Sequence, residues 1–183
     1  QECDFIIGCV PTPIKNNKKP DLGPLYELKG FLEKIQKDEN PRYFILESTT
    51  YPGCTEEIFS EISDKNLFTV FSPERVDPGN KKYTIKNTPK VVGGDDDIVE
   101  IVSILYKNII DAGMIKVSST RVAEMSKLIE NIYRFVNISL SNELETLCNE
   151  MGIDYNESLL AASTKPFGFQ AFYPTYKVGG HCI

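Results

Sequence analysis

The chain has 183 residues, of which 41% are hydrophobic and 25% charged, proportions that are ordinary for a globular protein. Its net charge of −6 disfavours a general nucleic-acid binder, because such proteins usually carry a basic face that neutralises phosphates. No apolar run approaches the roughly 20 residues that are needed to cross a bilayer. The chain opens with neither Met nor a basic flank, directly before a strand-like run, so we expect that an upstream portion has been removed.

The cysteines are odd in number and scattered without the spacing of metal ligands. A disulfide framework is therefore not expected, and a reducing cytoplasm is the expected compartment. The single histidine, His181, lies beside Cys182, whereas a structural zinc site needs more closely grouped ligands, so we predict no metal site. The five cysteines are Cys3, Cys9, Cys54, Cys148 and Cys182.

Strands and helices alternate over the first two-thirds of the chain. The apolar run at residues 5–10 stops at Pro11 and suits a buried parallel strand. Helices are predicted to begin near Asp21, Thr55 and Asp95. Alternation on this scale predicts parallel βαβ units in a doubly wound α/β sheet. Further strands are predicted at residues 43–46, 68–71, 91–92 and 114–117.

The pattern changes at about residue 120, where apolar residues recur at helical spacing without Pro or Gly until Gly152. This predicts one helix of ~30 residues, about 45 Å long. Such a helix outruns a small domain, so we expect it to bridge two domains or to pack against a second subunit. A shorter helix is predicted at residues 156–162, and residues 165–183 are predicted to form an ordered loop.

Polar or turn-forming residues follow three successive predicted strands, at 10–13, 47–50 and 72–75. Ligands bind beyond the carboxyl ends of the strands in an open parallel sheet. Any one of these segments alone is an ordinary turn, but three at one edge favour a ligand site. A G-x-G-x-x-G fingerprint is absent, and Gly93-Gly94 does not fit it, so the first βαβ unit of a Rossmann domain would lie upstream of Gln1.

Two candidate catalytic elements lie later in the chain. Lys127 and Asn131 are one helical turn apart and can together stabilise an oxygen that gains negative charge, although a solvated Lys beside an Asn is the plainer alternative. Cys182 follows Gly179-Gly180-His181, where the glycines permit close approach of a ligand and the histidine can favour the thiolate. A small buried cysteine is the alternative here. The residues alone do not determine a reaction.

Seven segments occur in an order that resembles the nucleotide-sugar 6-dehydrogenases, the UDP-glucose and GDP-mannose dehydrogenase type. Their sequences are most similar to those of the branches that act on UDP-N-acetylglucosamine and UDP-N-acetylmannosamine, and above all to UDP-N-acetylglucosamine 6-dehydrogenase. Each motif is weak alone, but the ordered set covers nearly the whole chain. The segments are CVPTP (9–13), ESTTYPG (47–53), SPERVDPGN (72–80), KVVGG (90–94), EMSKLIEN (124–131), KPFGF (165–169) and VGGHCI (178–183).

The resemblance implies an internal fragment of an NAD-dependent enzyme. Residues 1–118 would form the later part of a Rossmann-like, doubly wound parallel sheet that binds NAD. Residues 119–183 would form a central helical dimerisation domain with a long central helix, ending at the catalytic cysteine loop. The implied reaction is a four-electron oxidation of the C6 hydroxymethyl of a UDP-sugar to a uronic acid, in a homodimer that forms through the long helix.

The resemblance also implies roles for individual residues. Cys182 would be the nucleophile that holds a thiohemiacetal and then a thioester, and Lys127 with Asn131 would steady the oxyanion. Glu74 would take part in proton transfer and thioester hydrolysis. The residues that line the NAD cleft would be Val10, Thr12, Pro13, Ser48 and Thr49. The contacts to nucleotide sugar would be Arg75, Tyr173 and Gly179.

One departure from the family pattern and two alternatives bear on these roles. Residues 174–177, Pro-Thr-Tyr-Lys, stand where family members have a glycine-rich run, so bulkier side chains lie at the expected substrate contacts. Without the front glycine motif and a C-terminal nucleotide-binding domain, we expect no turnover from this polypeptide alone. A β-hydroxyacid dehydrogenase also carries a Lys-x-x-x-Asn pair but does not rely on a cysteine such as Cys182. A non-catalytic dimerisation or binding remnant is the other alternative.

Overall fold

The computed structural model describes residues 3–35, 40–63, 66–77 and 79–176. The chain divides into two compact units, which we call the first unit (1–128) and the second unit (129–183). No helix in the described ranges is long and apolar enough to cross a membrane. The elements, in chain order, are β1 Phe5–Gly8, α1 Gly23–Ile35, β2 Arg42–Leu46, α2 Cys54–Ser63, β3 Leu67–Phe71, β4 Lys90–Gly93, α3 Asp96–Lys107, β5 Met114–Val117, α4 Thr120–Met151 and α5 Tyr155–Ser163.

The first unit is built on a five-stranded sheet in the order β1-β2-β3-β4-β5. The pairs β1/β2, β2/β3 and β4/β5 are parallel, whereas β4 runs antiparallel to β3, with Phe71 opposite Gly93. The prediction of a doubly wound α/β sheet is confirmed, and the predicted parallel pairing is corrected at one place, since β3 and β4 pair antiparallel. A parallel crossover usually carries a helix, and the described part of the connection from β3 to β4 contains none.

Helices cover both faces of the sheet, because alternate residues of each strand point to opposite faces. Phe44 and Leu46 of β2 pack into a buried cluster with α1 and α2, whereas Ile45 between them joins a second cluster with α3. The side chain of Ala123, in the first turns of α4, belongs to the first cluster. The helices on both faces confirm the doubly wound arrangement, and the start of α4 is anchored to the first unit.

Two glycines permit close packing that side chains would obstruct. A Cβ on Gly93, the last residue of β4, would lie 2.3 Å from the main-chain oxygen of Ser119. A Cβ on Gly8, the last residue of β1, would lie 2.8 Å from Leu28 of α1 and 2.9 Å from the ring of Phe44. The strand predicted at residues 5–10 ends earlier than expected, at Gly8.

The helices predicted at 120–151 and 156–162 are confirmed as α4 and α5. In the second unit the hydroxyl of Ser141 on α4 lies 2.7 Å from that of Tyr155 on α5 and donates to the carbonyl oxygen of Phe172 at 2.6 Å. The ring of Tyr133 meets that of Phe172 edge-on, with centroids 5.4 Å apart. Gln170 accepts a hydrogen bond from Tyr133 as well. These contacts order residues 170–172 without regular secondary structure.

Candidate functional site

The carboxyl ends of β1, β2 and β3 meet at one edge of the sheet, since these three strands are parallel. The loops that follow β1 and β2 are joined there by side-chain hydrogen bonds to main-chain oxygens. Ser48 Oγ donates to the oxygen of Val10 at 2.7 Å, and Thr12 Oγ1 donates to the oxygen of Thr49 at 2.7 Å. The oxygen of Pro13 accepts from the main-chain N–H of Asp21. Five residues that the sequence suggested for a cofactor cleft therefore lie at one edge.

These loops fit part of a dinucleotide rather than all of it. The hydroxyls of Ser48 and Thr12 already donate to main-chain oxygens, so they shape the loops, and their oxygens can still accept hydrogen bonds from a ligand. In the described ranges no glycine-rich turn follows β1, and Gly8 is packed against α1. The loop after β1 therefore lacks the glycine turn to which a diphosphate usually binds.

A cluster of charged and polar side chains lies at the same edge, and we call it the Lys90 cluster: Lys90, Glu47, Glu74 and Tyr106. Lys90 Nζ lies 2.8 Å from Glu47 Oε1 and 3.5 Å from Glu74 Oε2. The hydroxyl of Tyr106, from α3, donates to the same oxygen of Glu47, and Lys90 Nζ lies 5.0 Å from the Tyr106 ring centroid. Cys9 Sγ contacts the other oxygen of Glu47 at 4.0 Å.

Glu74 is the most accessible member of the Lys90 cluster, with its side chain 46% exposed. Its Oε1 accepts hydrogen bonds from the main-chain N–H groups of Arg75 and Val76, each at 2.7 Å. Partial burial alone would raise the pKa of Glu74, but the charge of Lys90 and the two N–H groups outweigh it and lower the pKa. Glu74 is therefore a carboxylate at neutral pH and can accept a proton.

The neighbouring Cys9 and Tyr106 are held in their protonated forms. Burial, followed by the charge of Glu47, raises the pKa of the Cys9 thiol. Burial and the charge of Glu47 likewise raise the pKa of Tyr106. Cys9 is thus poorly suited to act as a nucleophile, and Tyr106 remains a hydrogen-bond donor.

The structure places the remaining predicted site residues on several elements. Arg75 follows Glu74, and its Nη1 donates to the oxygen of Pro89 at 2.8 Å. Lys127, in the first unit, and Asn131, in the second, are both partly buried and lie four residues apart in the sequence of α4. Tyr173 of the second unit is 59% exposed. Cys182 and Gly179 lie outside the described residues.

Sequence reasoning did not single out Glu124, which anchors α4 to the loop after β2. Its side chain is fully buried. Its Oε1 accepts from the N–H and hydroxyl of Thr55 at 2.8 and 2.6 Å and from the hydroxyl of Thr50 at 3.3 Å. Its Oε2 accepts from the N–H of Gly53 at 2.5 Å. The loop that carries Ser48 is therefore held at the N-terminus of α2 by a side chain from α4.

The second unit contains a cavity of about 690 Å³ between α4, α5 and the segment that follows them. Aromatic rings and aliphatic side chains form most of its lining, with the hydroxyl of Ser141 among them. The lining includes Tyr133, Leu140, Leu144, Tyr155, Phe169 and Phe172.

Two family matches cover most of the chain. Residues 1–110 match the NAD binding domain of the UDP-glucose/GDP-mannose dehydrogenase family, and residues 121–183 match the central domain of the same family. The NAD prediction is thereby confirmed at the level of the domain.

Individual relatives agree with these matches. A UDP-N-acetyl-D-glucosamine 6-dehydrogenase of Pseudomonas aeruginosa is 43% identical over the whole chain, which covers 44% of that protein. A UDP-N-acetyl-D-mannosamine dehydrogenase of Methanocaldococcus jannaschii is 36% identical over the whole chain, which covers 43% of that protein. The structure of a UDP-D-ManNAc dehydrogenase from Pyrococcus horikoshii superposes with a TM-score of 0.88 at 28% identity, over 98% of this chain and 44% of that one. The chain thus spans less than half the length of these relatives.

Proposed function

The chain belongs to the UDP-glucose/GDP-mannose dehydrogenase family, and from this premise we propose that it is part of an NAD-dependent nucleotide-sugar 6-dehydrogenase. The reaction is the four-electron oxidation of the C6 hydroxymethyl of a UDP-sugar to a carboxylate. The observation that carries the proposal is the joining of the loops after β1 and β2, Val10 to Ser48 and Thr12 to Thr49, at the sheet edge where this fold class binds dinucleotides. A β-hydroxyacid dehydrogenase does not account for the cysteine segment VGGHCI (178–183), and turnover of the completed enzyme separates the proposed activity from a non-catalytic remnant.

The proposed substrate is UDP-N-acetylglucosamine or UDP-N-acetylmannosamine. The sequences of the motifs support these two sugars, and the names of the relatives from Pseudomonas aeruginosa and Methanocaldococcus jannaschii contain them. Arg75 offers a planar set of donors to a carbonyl, hydroxyl or phosphate oxygen, which a lysine could not reproduce. Tyr173 and Gly179 are the other proposed contacts to the nucleotide sugar.

The proposed chemistry proceeds through Cys182. Oxidation of the C6 alcohol first gives an aldehyde, and the thiolate of Cys182 adds to it to form a thiohemiacetal. A second oxidation gives a thioester, and water then releases the carboxylate and the thiol. Lys127 and Asn131 stabilise the negative charge that develops on the C6 oxygen. NAD, when bound, accepts the hydride of each of the two oxidations. The thiol must be reduced and free at the start of each turnover, which supports a reducing cytoplasm as the compartment.

Glu74 is the proposed proton acceptor for the hydrolytic step. Its carboxylate is ionised at neutral pH, because its pKa is lowered, and nearly half of the side chain is accessible to water. Two main-chain N–H groups fix one of its oxygens. Glu74 supplies a base, and the joined loops at Val10 and Ser48 supply the proposed cofactor cleft, at the same edge of the sheet.

A homodimer through α4 is part of the proposal. In the second unit this helix exposes a stripe of large apolar side chains at intervals of three and four residues, and such a stripe is stabilised by covering it. A second copy offers the same stripe, so a two-fold axis would bury both. The stripe comprises Ile129, Ile132, Val136, Leu140, Leu144, Leu147 and Met151.

The test uses a completed enzyme, meaning this chain joined to the remaining segments of the Pseudomonas aeruginosa relative. Cys182→Ser should abolish most formation of sugar acid while NAD binding, measured by calorimetry, stays within about twofold, because the alcohol is a much weaker nucleophile. Cys3→Ser, at an exposed cysteine, is the matched control and should leave turnover unchanged. Normal turnover in Cys182→Ser would refute the thioester route.

A further inference from the structure

The ion pair between Lys90 and Glu47 is almost completely buried, with side chains 8% and 10% exposed. Burying two charges costs desolvation that their attraction offsets only with good geometry and further hydrogen bonds. Tyr106 supplies such a bond by donating to Glu47. A buried pair of this kind is weak evidence for stability, so its position at the candidate site calls for a functional explanation.

Lys90 reaches this position because β4 runs antiparallel to β3. The first residue of β4 therefore lies at the carboxyl edge of β1–β3, whereas a parallel β4 would have placed it at the opposite edge. The main-chain N–H of Lys90 donates to the oxygen of Gly113 at 3.2 Å, which fixes the backbone from which the side chain extends. The main chain of Lys90 is thus held by the sheet, and its ammonium group is held by Glu47.

The ammonium group of Lys90 also contacts the carboxylate that the proposed reaction uses. Its Nζ lies 3.5 Å from Glu74 Oε2, while Glu74 Oε1 is bound by the N–H groups of Arg75 and Val76. Both oxygens of Glu74 therefore have a donor, and the carboxylate is fixed in orientation although the side chain is half-exposed. The positive charge of Lys90 lies between the carboxylates of Glu47 and Glu74 and reduces the repulsion between them.

We propose that Lys90 is a positioning residue for Glu74, held in place by Glu47 and Tyr106, and that it keeps this carboxylate oriented and ionised for proton transfer. The inference deepens the proposed function and rests on the role of Glu74 given there. Lys90 does not touch the reacting atoms in this account and acts only through Glu74.

The direction in which Lys90 shifts the pKa of Glu74 follows from the charges near Glu74. Lys90 favours the ionised form, and the nearby carboxylate of Glu47 opposes it. The thiol of Cys9 and the hydroxyl of Tyr106 are neutral at pH 7, and the guanidinium of Arg75 is bound to the oxygen of Pro89. Without Lys90, Glu74 loses the ammonium group that contacts it, while Glu47 and the positive charge of Arg75 are unchanged, so the pKa of Glu74 rises and the base becomes protonated at a higher pH.

The test is a carbon-13 NMR titration of the Glu74 carboxyl in the 183-residue chain. Lys90→Met should raise the pKa of Glu74 by about one unit or more, and Lys90→Arg should keep it within about 0.3 units of the wild-type value. Lys90→Met combined with Glu47→Gln removes both charges of the buried pair, so it avoids an unpaired buried carboxylate and guards against misfolding. That double variant should still raise the pKa relative to wild type, because the cation is gone.

An unchanged pKa of Glu74 in both Lys90→Met and the double variant would overturn the positioning role, whatever the activity. In the completed enzyme, the acidic limb of the kcat profile should move to higher pH in Lys90→Met, and Lys90→Arg should restore it. Turnover that survives in Glu74→Gln would instead contradict the proposed role of Glu74, even if the titration shift is observed. The two failures are therefore distinguishable.

Discussion

Replacing Glu124 with glutamine tests whether one buried carboxylate holds α4 to the loop that carries Ser48. The carboxylate accepts from four donors, three at Oε1 and one at Oε2. A glutamine keeps one oxygen, which would face Thr55, and turns its NH2 group toward the N–H of Gly53. That N–H, which is part-buried, would then face another donor and would lose its acceptor.

The magnitude follows from these contacts. A hydrogen bond to a charged group contributes about 1.5–3 kcal/mol, and a buried donor left without an acceptor costs about 1–3 kcal/mol. Since three of the four donors keep an oxygen acceptor, we expect Glu124→Gln to lower the free energy of unfolding by about 2–4 kcal/mol. Glu143→Gln, at an exposed position on the same helix, should change it by less than about 0.5 kcal/mol.

The assay is urea unfolding of the two variants and the wild type, followed by circular dichroism. Equal slopes with a lower midpoint for Glu124→Gln alone are the expected result. If Glu124→Gln were as stable as Glu143→Gln, the four hydrogen bonds would not anchor α4, and the reasoning would be wrong.

Two further predictions concern packing and assembly. Gly93→Ala should destabilise the chain by at least about 3 kcal/mol in the same urea assay, since its Cβ would lie 2.3 Å from a main-chain oxygen just before α4. Gly30→Ala, in α1 with open space around it, should instead stabilise by about 0.5–1 kcal/mol, and equal effects of the two would contradict the contact. Leu140→Glu should convert a dimer into a monomer in sedimentation experiments, whereas Asn149→Glu, on the opposite side of α4, should not; a Leu140→Glu dimer would exclude this interface.

Local pattern sufficed for most elements of the fold. The helix α4 begins and ends where the sequence predicted, because Thr120 precedes an uninterrupted apolar repeat and Gly152 ends it. The direction of β4 could not be predicted in this way. Its Val91-Val92 pair indicates a strand but carries no direction, which depends instead on the preceding connection, whose described part contains no helix.

In the candidate site, too, residues that follow from local pattern were predicted, and residues that depend on tertiary packing were not. Ser48 and Thr12 were predicted correctly as edge residues, because the carboxyl ends of parallel strands necessarily meet. Lys90 and Tyr106 were missed, since their approach to Glu47 depends on the reversal of β4 and on the packing of α3. The role of Cys182 stays a prediction, because it lies outside the described residues.

The measurement that tests the central claim most directly is the ratio of NADH formed to sugar acid formed. The completed enzyme is supplied with UDP-N-acetylglucosamine or UDP-N-acetylmannosamine and NAD, NADH is followed by absorbance, and the acid is quantified by mass spectrometry. A four-electron oxidation through Cys182 predicts two NADH for each uronic acid and no accumulation of free aldehyde. One NADH for each product, or a product that keeps its C6 hydroxymethyl, would contradict the account.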